Sequence, residues 1–328
     1  MPKIRASISI AAIFFIAIGA ALAGASGEVL WALRLPRLLA SVAVGALLAL
    51  SGLALQVLLR NPLADPYVLG TSGGAAVGAI GFAVLADALA AWGWPRLASS
   101  LAEVSMGLGA ALGALLAGVL LLGLARRALR TQEDEASARL ILTGAMLASV
   151  FGALATLLLS LTPDQRLRGA VFWLVGDLSG AGSSQLWGLP QAWWGIGFAI
   201  IFVAYYAQRA RSIDRLMLGS EAAWLLGEPV RRLRVELLVL ACLATALAVS
   251  LAGAIGFVGL VVPQALRLAG VQHSRALAWQ SALGGAALLS WADTVARTVA
   301  WPLELPVGAV MALVGAPLFI VLLARGRA

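Results

Sequence analysis

One histidine, His273, one cysteine, Cys242, and one lysine, Lys3, are all that 328 residues offer of these three reactive types. A lone histidine excludes a multi-histidine metal centre, and a lone cysteine excludes an intrachain disulfide. Cys242 stands in an apolar run and reads as a small packed residue. A phosphate-binding loop needs Gly-x-x-x-x-Gly-Lys-Ser/Thr, and with Lys3 as the only lysine the chain holds no such loop. No charge-free stretch carries the buried acid of a proton-coupled carrier. None carries the paired acids, histidine cluster or nucleophile constellation of a membrane enzyme. What remains is arginine, whose planar fork pairs bidentately with carboxylates and phosphates.

The polar residues gather in four segments. The first is Arg34-Leu35-Pro36-Arg37, and the second is Asn61-Pro62-Leu63-Ala64-Asp65-Pro66. The third, 209–236, is the longest charged stretch, and the fourth surrounds Asp293, Arg297 and Glu304. Within the third, 216–227 predicts a short amphipathic helix with Gly219 and Gly227 near its ends. Such a helix lies on lipid or docks into a groove on a soluble partner, and periodicity does not separate the two.

The elements that must position these residues are membrane helices. The chain is 62% hydrophobic and 12% charged, against about 25% charged in soluble domains. The net charge of +8 forms no basic stripe of the kind that binds nucleic acid. A spanning helix needs about 20 apolar residues. Charge-free stretches of that order are 6–27, 38–59, 66–86, 104–125, 140–163, 178–208, 237–266, 276–292 and 305–324. The stretch 237–266 is too long for one span, and Gly253-Ala254-Ile255-Gly256-Phe257-Val258-Gly259 in its middle permits a turn. Splitting it predicts about ten transmembrane helices, the eighth short. In 178–208 the helix proper is expected to begin near Pro190. The first stretch ends in small residues like a secretory signal, but its length favours an uncleaved helix.

Basic residues concentrate in cytoplasmic loops. Ten spans with both termini cytoplasmic leave Arg34, Arg37, Arg96, Arg166, Arg168 and Arg297 outside and the rest of the 23 basic residues inside. The expected fold is therefore all-α, a single polytopic domain over 1–328. Gly70, Gly74 and Gly78, with Gly109 and Gly113, stand at the four-residue spacing that lets helices pack closely.

The order of motifs resembles the permeases that import iron-siderophores, haem and cobalamin with ATP-driven partners. The carriers are Arg34-Leu-Pro-Arg with Val44-Gly-Ala, Ser51-Gly-Leu-Ala-Leu-Gln, and Asn61-Pro-Leu-Ala-Asp-Pro with Leu69-Gly. They continue with Leu218-Gly219 to Leu226-Gly227, Gly253-Ala-Ile-Gly-Phe-Val-Gly-Leu-Val-Val-Pro, Ala292-Asp-Thr-Val-Ala-Arg, Glu304-Leu-Pro-Val-Gly and Gly315-Ala-Pro-Leu-Phe. The sequence departs from the family at Gln264, where many members have histidine, and at Ser220-Glu221, where a pair of acids is common.

The resemblance implies a homodimer in the bacterial inner membrane, in contact with lipid, with two cytoplasmic ATPase subunits and a periplasmic substrate-binding protein. No cofactor belongs to this chain; ATP and magnesium belong to the ATPase subunits. Arg34, Arg37 and Arg297 are implied as the docking residues for glutamates of the binding protein. Within a coupling segment, 214–230, the residues Leu218, Gly219, Glu221, Ala222, Leu226 and Gly227 are implied to contact the ATPase. The cargo class is an intact metal chelate, ranked haem, then ferric siderophore, then cobalamin. The rival reading is an ion-coupled secondary transporter, which would need no ATPase.

Overall fold

The computed structural model describes residues 16–19, 27, 30–94, 96, 106–125, 133–180, 185–186 and 189–325. The first expected span, 6–27, lies outside the described residues except at 16–19 and 27. The N-terminal residues Lys3 and Arg5 and the final residues 326–328 also lie outside them. The fold is helical. A single turn at Leu30–Arg34 feeds α1 (Leu35–Leu58), followed by α2 (Thr71–Ala91), α3 (Met106–Ala125), α4 (Glu133–Ser160) and α5 (Asp164–Val175). Then come α6 (Gln191–Met217), α7 (Ser220–Leu225), α8 (Val230–Ala252), α9 (Val258–Leu268), α10 (Ser274–Thr298) and α11 (Val307–Arg325). A two-residue antiparallel pairing of Gln185–Leu186 with Leu189–Pro190 precedes α6.

α1 is the axis. Pro36 sits in its first turn, where a missing N–H costs nothing, and leucine and alanine fill most of its remaining length. At 24 residues it is about 36 Å long, enough to cross a hydrocarbon core of about 30 Å. Of its most apolar stretch, 89% is buried inside the protein, because α6, α8, α9 and α10 all pack on it. A second group, α2, α3 and α4, joins through the contact of α3 with α8.

In lipid there is no hydrophobic drive between helices, so close backbone approach and interhelical hydrogen bonds hold the bundle. A Cβ added to Gly45 would strike the Gly285 carbonyl of α10, and one on Gly52 would strike Gly259 of α9. The predicted glycine spacing has the same meaning: Gly74 and Gly78 of α2 face Gly113 and Gly109 of α3. Hydroxyls complete the seams. Ser41 pairs with Ser290 at 2.9 Å and Ser51 with Thr245 at 2.8 Å.

The long stretch 237–266 breaks where the glycines stand. α8 ends at Ala252 and α9 begins at Val258, with Gly253 at φ +68° and Phe257 at φ +70°. The break lies beside the middle of α1, since Gly259 touches Leu48 and Gly52. Irregular backbone at that depth requires internal partners. The Asp177 N–H donates to the Ala252 carbonyl at 2.9 Å, and the Ile255 N–H donates to the Tyr67 hydroxyl at 2.8 Å. Two expectations shift. α10 runs on to Thr298 instead of ending near 292, and α5 is a helix within what sequence left as an outer connection. α6 starts at Gln191, next to the expected Pro190.

Between α1 and α2, Asp65 caps a short turn at Pro66–Leu69 by accepting the Tyr67 N–H at 2.8 Å. Burial pushes its carboxyl up to about 6, partly offset by that hydrogen bond. A raised carboxylate means the folded protein binds the proton better, so Asp65 costs stability progressively as pH rises from about 4 through 6. Asp65→Asn keeps the acceptor and removes the charge. Its melting temperature is expected to match wild type near pH 4 and to exceed it at pH 8, with an upper bound of about 3 kcal/mol. Thermal denaturation in detergent across that range checks this, and a variant less stable at pH 8 contradicts it.

Gly45→Val, which overpacks the α1–α10 crossing, is expected to lose about 1–3 kcal/mol. Gly123→Val, where an added Cβ meets nothing within 4 Å, is expected to melt as wild type. Equal melting temperatures for the two would refute the close-approach account.

Candidate docking and coupling sites

The two ends of the bundle carry different chemistry. By the arginine asymmetry, the end where α1 begins faces out and the end where it finishes faces the cytoplasm.

At the outer end, the first turn of α1 brings Arg37 against the last turns of α10. Arg37 Nε donates to Asp293 Oδ1 at 2.8 Å, and Nη1 donates to Glu304 Oε2 at 2.7 Å. Asp293 Oδ2 lies 3.2 Å from Arg297 Nε, one helical turn on. That approach is off the hydrogen-bond angle, so it is an ion pair alone. The Asp293 side chain is 3% exposed and that of Glu304 is 50% exposed. Asp293 is thus the clamp between two guanidinium groups, and Glu304 is the outer, replaceable partner. Arg34, half-buried on the turn before α1, is within electrostatic reach of Arg297.

The structure therefore gathers all three expected arginines at one end, but not as a uniform exposed set. Arg37 lies inside the helix, because α1 begins at Leu35 rather than at 38, and it is tied up by acids of its own chain. Sequence reading grouped Asp293 and Glu304 with Arg297 but did not identify them as partners of Arg37. The legible half of that signal was the i, i+4 spacing of Asp293 and Arg297.

At the cytoplasmic end the expected helix over 216–227 is shorter. Leu216 and Met217 finish α6, Gly219 turns at φ +124°, and α7 holds six residues before Leu226 and Gly227 turn again. Glycine is required at both turns because L side chains avoid that backbone region. Gly219 and Ala223 are buried, and Ala222 is half-buried. Leu218, Glu221, Trp224, Leu225, Leu226 and Gly227 are exposed, so the apolar side of α7 points away from the bundle.

The turn is strapped down on both sides. Arg215 pairs with Glu228 across it, and Arg234 Nη2 of α8 donates to Ser220 Oγ at 2.6 Å. Asp214 Oδ1 accepts the Ser274 N–H at the start of α10 at 3.0 Å. The turn is thereby tied to α6 and α8, and the end of α6 to the start of α10.

Among the described residues no group of histidine, cysteine, aspartate or glutamate could hold a metal ion. The family model of the FecCD transport family matches residues 4–325. The vitamin B12 import system permease protein BtuC of Vibrio cholerae is 39% identical over 301 residues, spanning 92% of this chain and 84% of the relative. That of Klebsiella pneumoniae is 38% identical over 299 residues, spanning 91% and 83%. A solved chain of a metal-chelate type ABC transporter in an inward-facing conformation superposes with a TM-score of 0.80 at 26% identity, over 99% of this chain and 100% of that one.

Removing the Asp293 charge leaves buried Arg37 with only the half-exposed Glu304 and takes from half-buried Arg297 its ion pair one turn away. Asp293→Asn is expected to lower stability by about 3–5 kcal/mol, the cost of breaking a buried pair. Glu304→Gln is expected to cost about 0–1 kcal/mol, as for solvent-exposed pairs. Thermal unfolding of the two variants compares them, and an equal or reversed ranking would sink the clamp.

Proposed function

The chain belongs to the FecCD transport family, and from that premise we propose that it is the membrane-spanning permease subunit of an ATP-driven importer in the bacterial inner membrane. Two copies form the pathway, and two cytoplasmic ATPase subunits supply the energy. The observation that carries this is α7: a six-residue helix between two glycine turns, apolar outward, strapped to α6 and α8. A surface anchor has no need of such straps, whereas a lever seated in a partner's groove does. ATP binding and hydrolysis then move α7, and the bundle switches between two packings as rigid parts.

At the other end a periplasmic binding protein docks through carboxylates onto the arginine cluster of Arg34, Arg37 and Arg297. Arg34 and Arg297 make the direct contacts, and Asp293 holds Arg297 and Arg37 in register. The effect of such charges falls mainly on orientation and on-rate and is salt-dependent.

The cargo is an intact metal chelate. The resemblance ranked haem first; the vitamin B12 permeases among the relatives support cobalamin ahead of it. Titration of the cognate binding protein with cobalamin, haem and a ferric siderophore decides the cargo.

Coupling is tested with Gly219→Val. Overpacking the turn by about 1–3 kcal/mol corresponds to roughly a 5–150-fold loss, expected in transport driven by ATP in liposomes. Docking is tested with Arg34→Glu, because Arg37→Glu would bury a third acid beside Asp293 and Glu304. Arg34→Glu is expected to weaken docking at low salt and to leave basal ATPase activity unchanged. Transport that follows an ion gradient and ignores ATP would overturn the permease reading in favour of a secondary carrier.

A further inference from the structure

We propose that the cytoplasmic end of the bundle holds a phosphate-binding site, built on Arg267 and fitted to the headgroup of an anionic phospholipid. A cavity of about 310 Å³ opens there between the end of α1, the end of α6 and α9. Its wall includes Gln56, Arg60, Met217, Gln264 and Arg267, and no acid lines it among the described residues.

Arg267 is held in an unusual way. Its Nη1 donates to Gln56 Oε1, while Gln56 Nε2 donates to the Gly259 carbonyl at 3.0 Å. Gln56 is thereby locked between α9 and the guanidinium it orients. Nε and Nη2, the edge that grips an oxyanion with two parallel hydrogen bonds, have no hydrogen-bond partner. The hydroxyl of buried Tyr206, whose field reaches Arg267, has none either. Arg37, Arg215 and Arg232 each meet a carboxylate; Arg267 meets none among the described residues.

Arg267 as a residue is half-buried, but two of its nitrogens are shielded without a partner, a setting that favours an anion beside it. Nε and Nη2 are shielded from water behind the cavity wall. Arg267 itself lines the cavity, and turning its side chain toward an anion there exchanges the Nη1 bond to Gln56 and breaks no ion pair among the described residues.

Position selects the lipid. The cavity stands where α1 ends at Leu58, α6 at Met217 and α9 at Leu268, the level of the cytoplasmic headgroups. Met217 in its wall and Leu268 next to Arg267 are exposed and offer an apolar path for acyl chains. Basic pockets between membrane helices on this side are suited to anionic headgroups, each arginine contributing a few-fold to affinity.

The test compares the permease in nanodiscs of phosphatidylcholine with and without phosphatidylglycerol, and in phosphatidylcholine with inorganic phosphate or chloride at equal ionic strength. Wild type is expected to melt higher with phosphatidylglycerol and to retain it in native mass spectrometry, and Arg267→Gln to retain about fivefold less. Stabilisation by phosphate but not by chloride, with no effect of phosphatidylglycerol, keeps the site and makes the free anion its ligand. If Arg267→Gln does not fold, Arg60→Gln at the exposed rim gives the same comparison. The proposal is overturned if neither probe shifts wild type relative to the variants. It is also overturned if Arg267→Gln acts only when the ATPase subunits are bound, which would assign the guanidinium to a partner's carboxylate.

Discussion

The backbone of α1 must come within contact distance of two other backbones, and the arrangement of the rest of the bundle depends on that. Gly45 against Gly285 and Gly52 against Gly259 leave no room for a side chain on either partner. Lipid is as apolar as leucine, so burial alone gives no reason for helices to associate. Dispersion across these close crossings supplies it, helped by the Ser41–Ser290 and Ser51–Thr245 hydrogen bonds. Four helices converge on α1 because the small residues on it let them.

That packing also links the two functional ends. Arg37 stands in the first turn of α1 and Gln56 near its last. The first is clamped by α10 through Asp293, and the second is bonded to α9 through Gly259 and Arg267. α10 in turn starts beside Asp214, one turn before α7. A displacement at the cytoplasmic turn therefore reaches the outer ion-pair cluster through helices that are too closely packed to bend independently.

Charge in this protein is arranged by the cost of burying it. The least exposed acid, Asp293, faces two arginines, whereas the half-exposed Glu304 shares one. Asp65 carries its burial cost in a raised carboxyl and keeps its place by capping a turn. The break between α8 and α9 obeys the same rule for neutral groups: the Ile255 amide finds the Tyr67 hydroxyl, and the Ala252 carbonyl finds the Asp177 amide.

Composition and span length determined by themselves that the chain is helical and membrane-embedded, because hydrocarbon leaves the backbone no alternative to satisfying itself. The glycines of 253–259 marked the break between α8 and α9, and the glycines flanking 220–225 marked the turns around α7, because glycine reaches positive φ without steric cost. The motif order was enough to suggest the transport family. Tertiary structure decided what spacing leaves open. It put Arg37 inside the bundle, gave it Asp293 and Glu304 from far along the chain, and made α5 a helix. It also left Arg267 bonded to Gln56 and without a counter-charge among the described residues. Periodicity records which face of one helix is apolar; which charge meets which depends on the rotation and depth of two helices together, and no single segment carries that information.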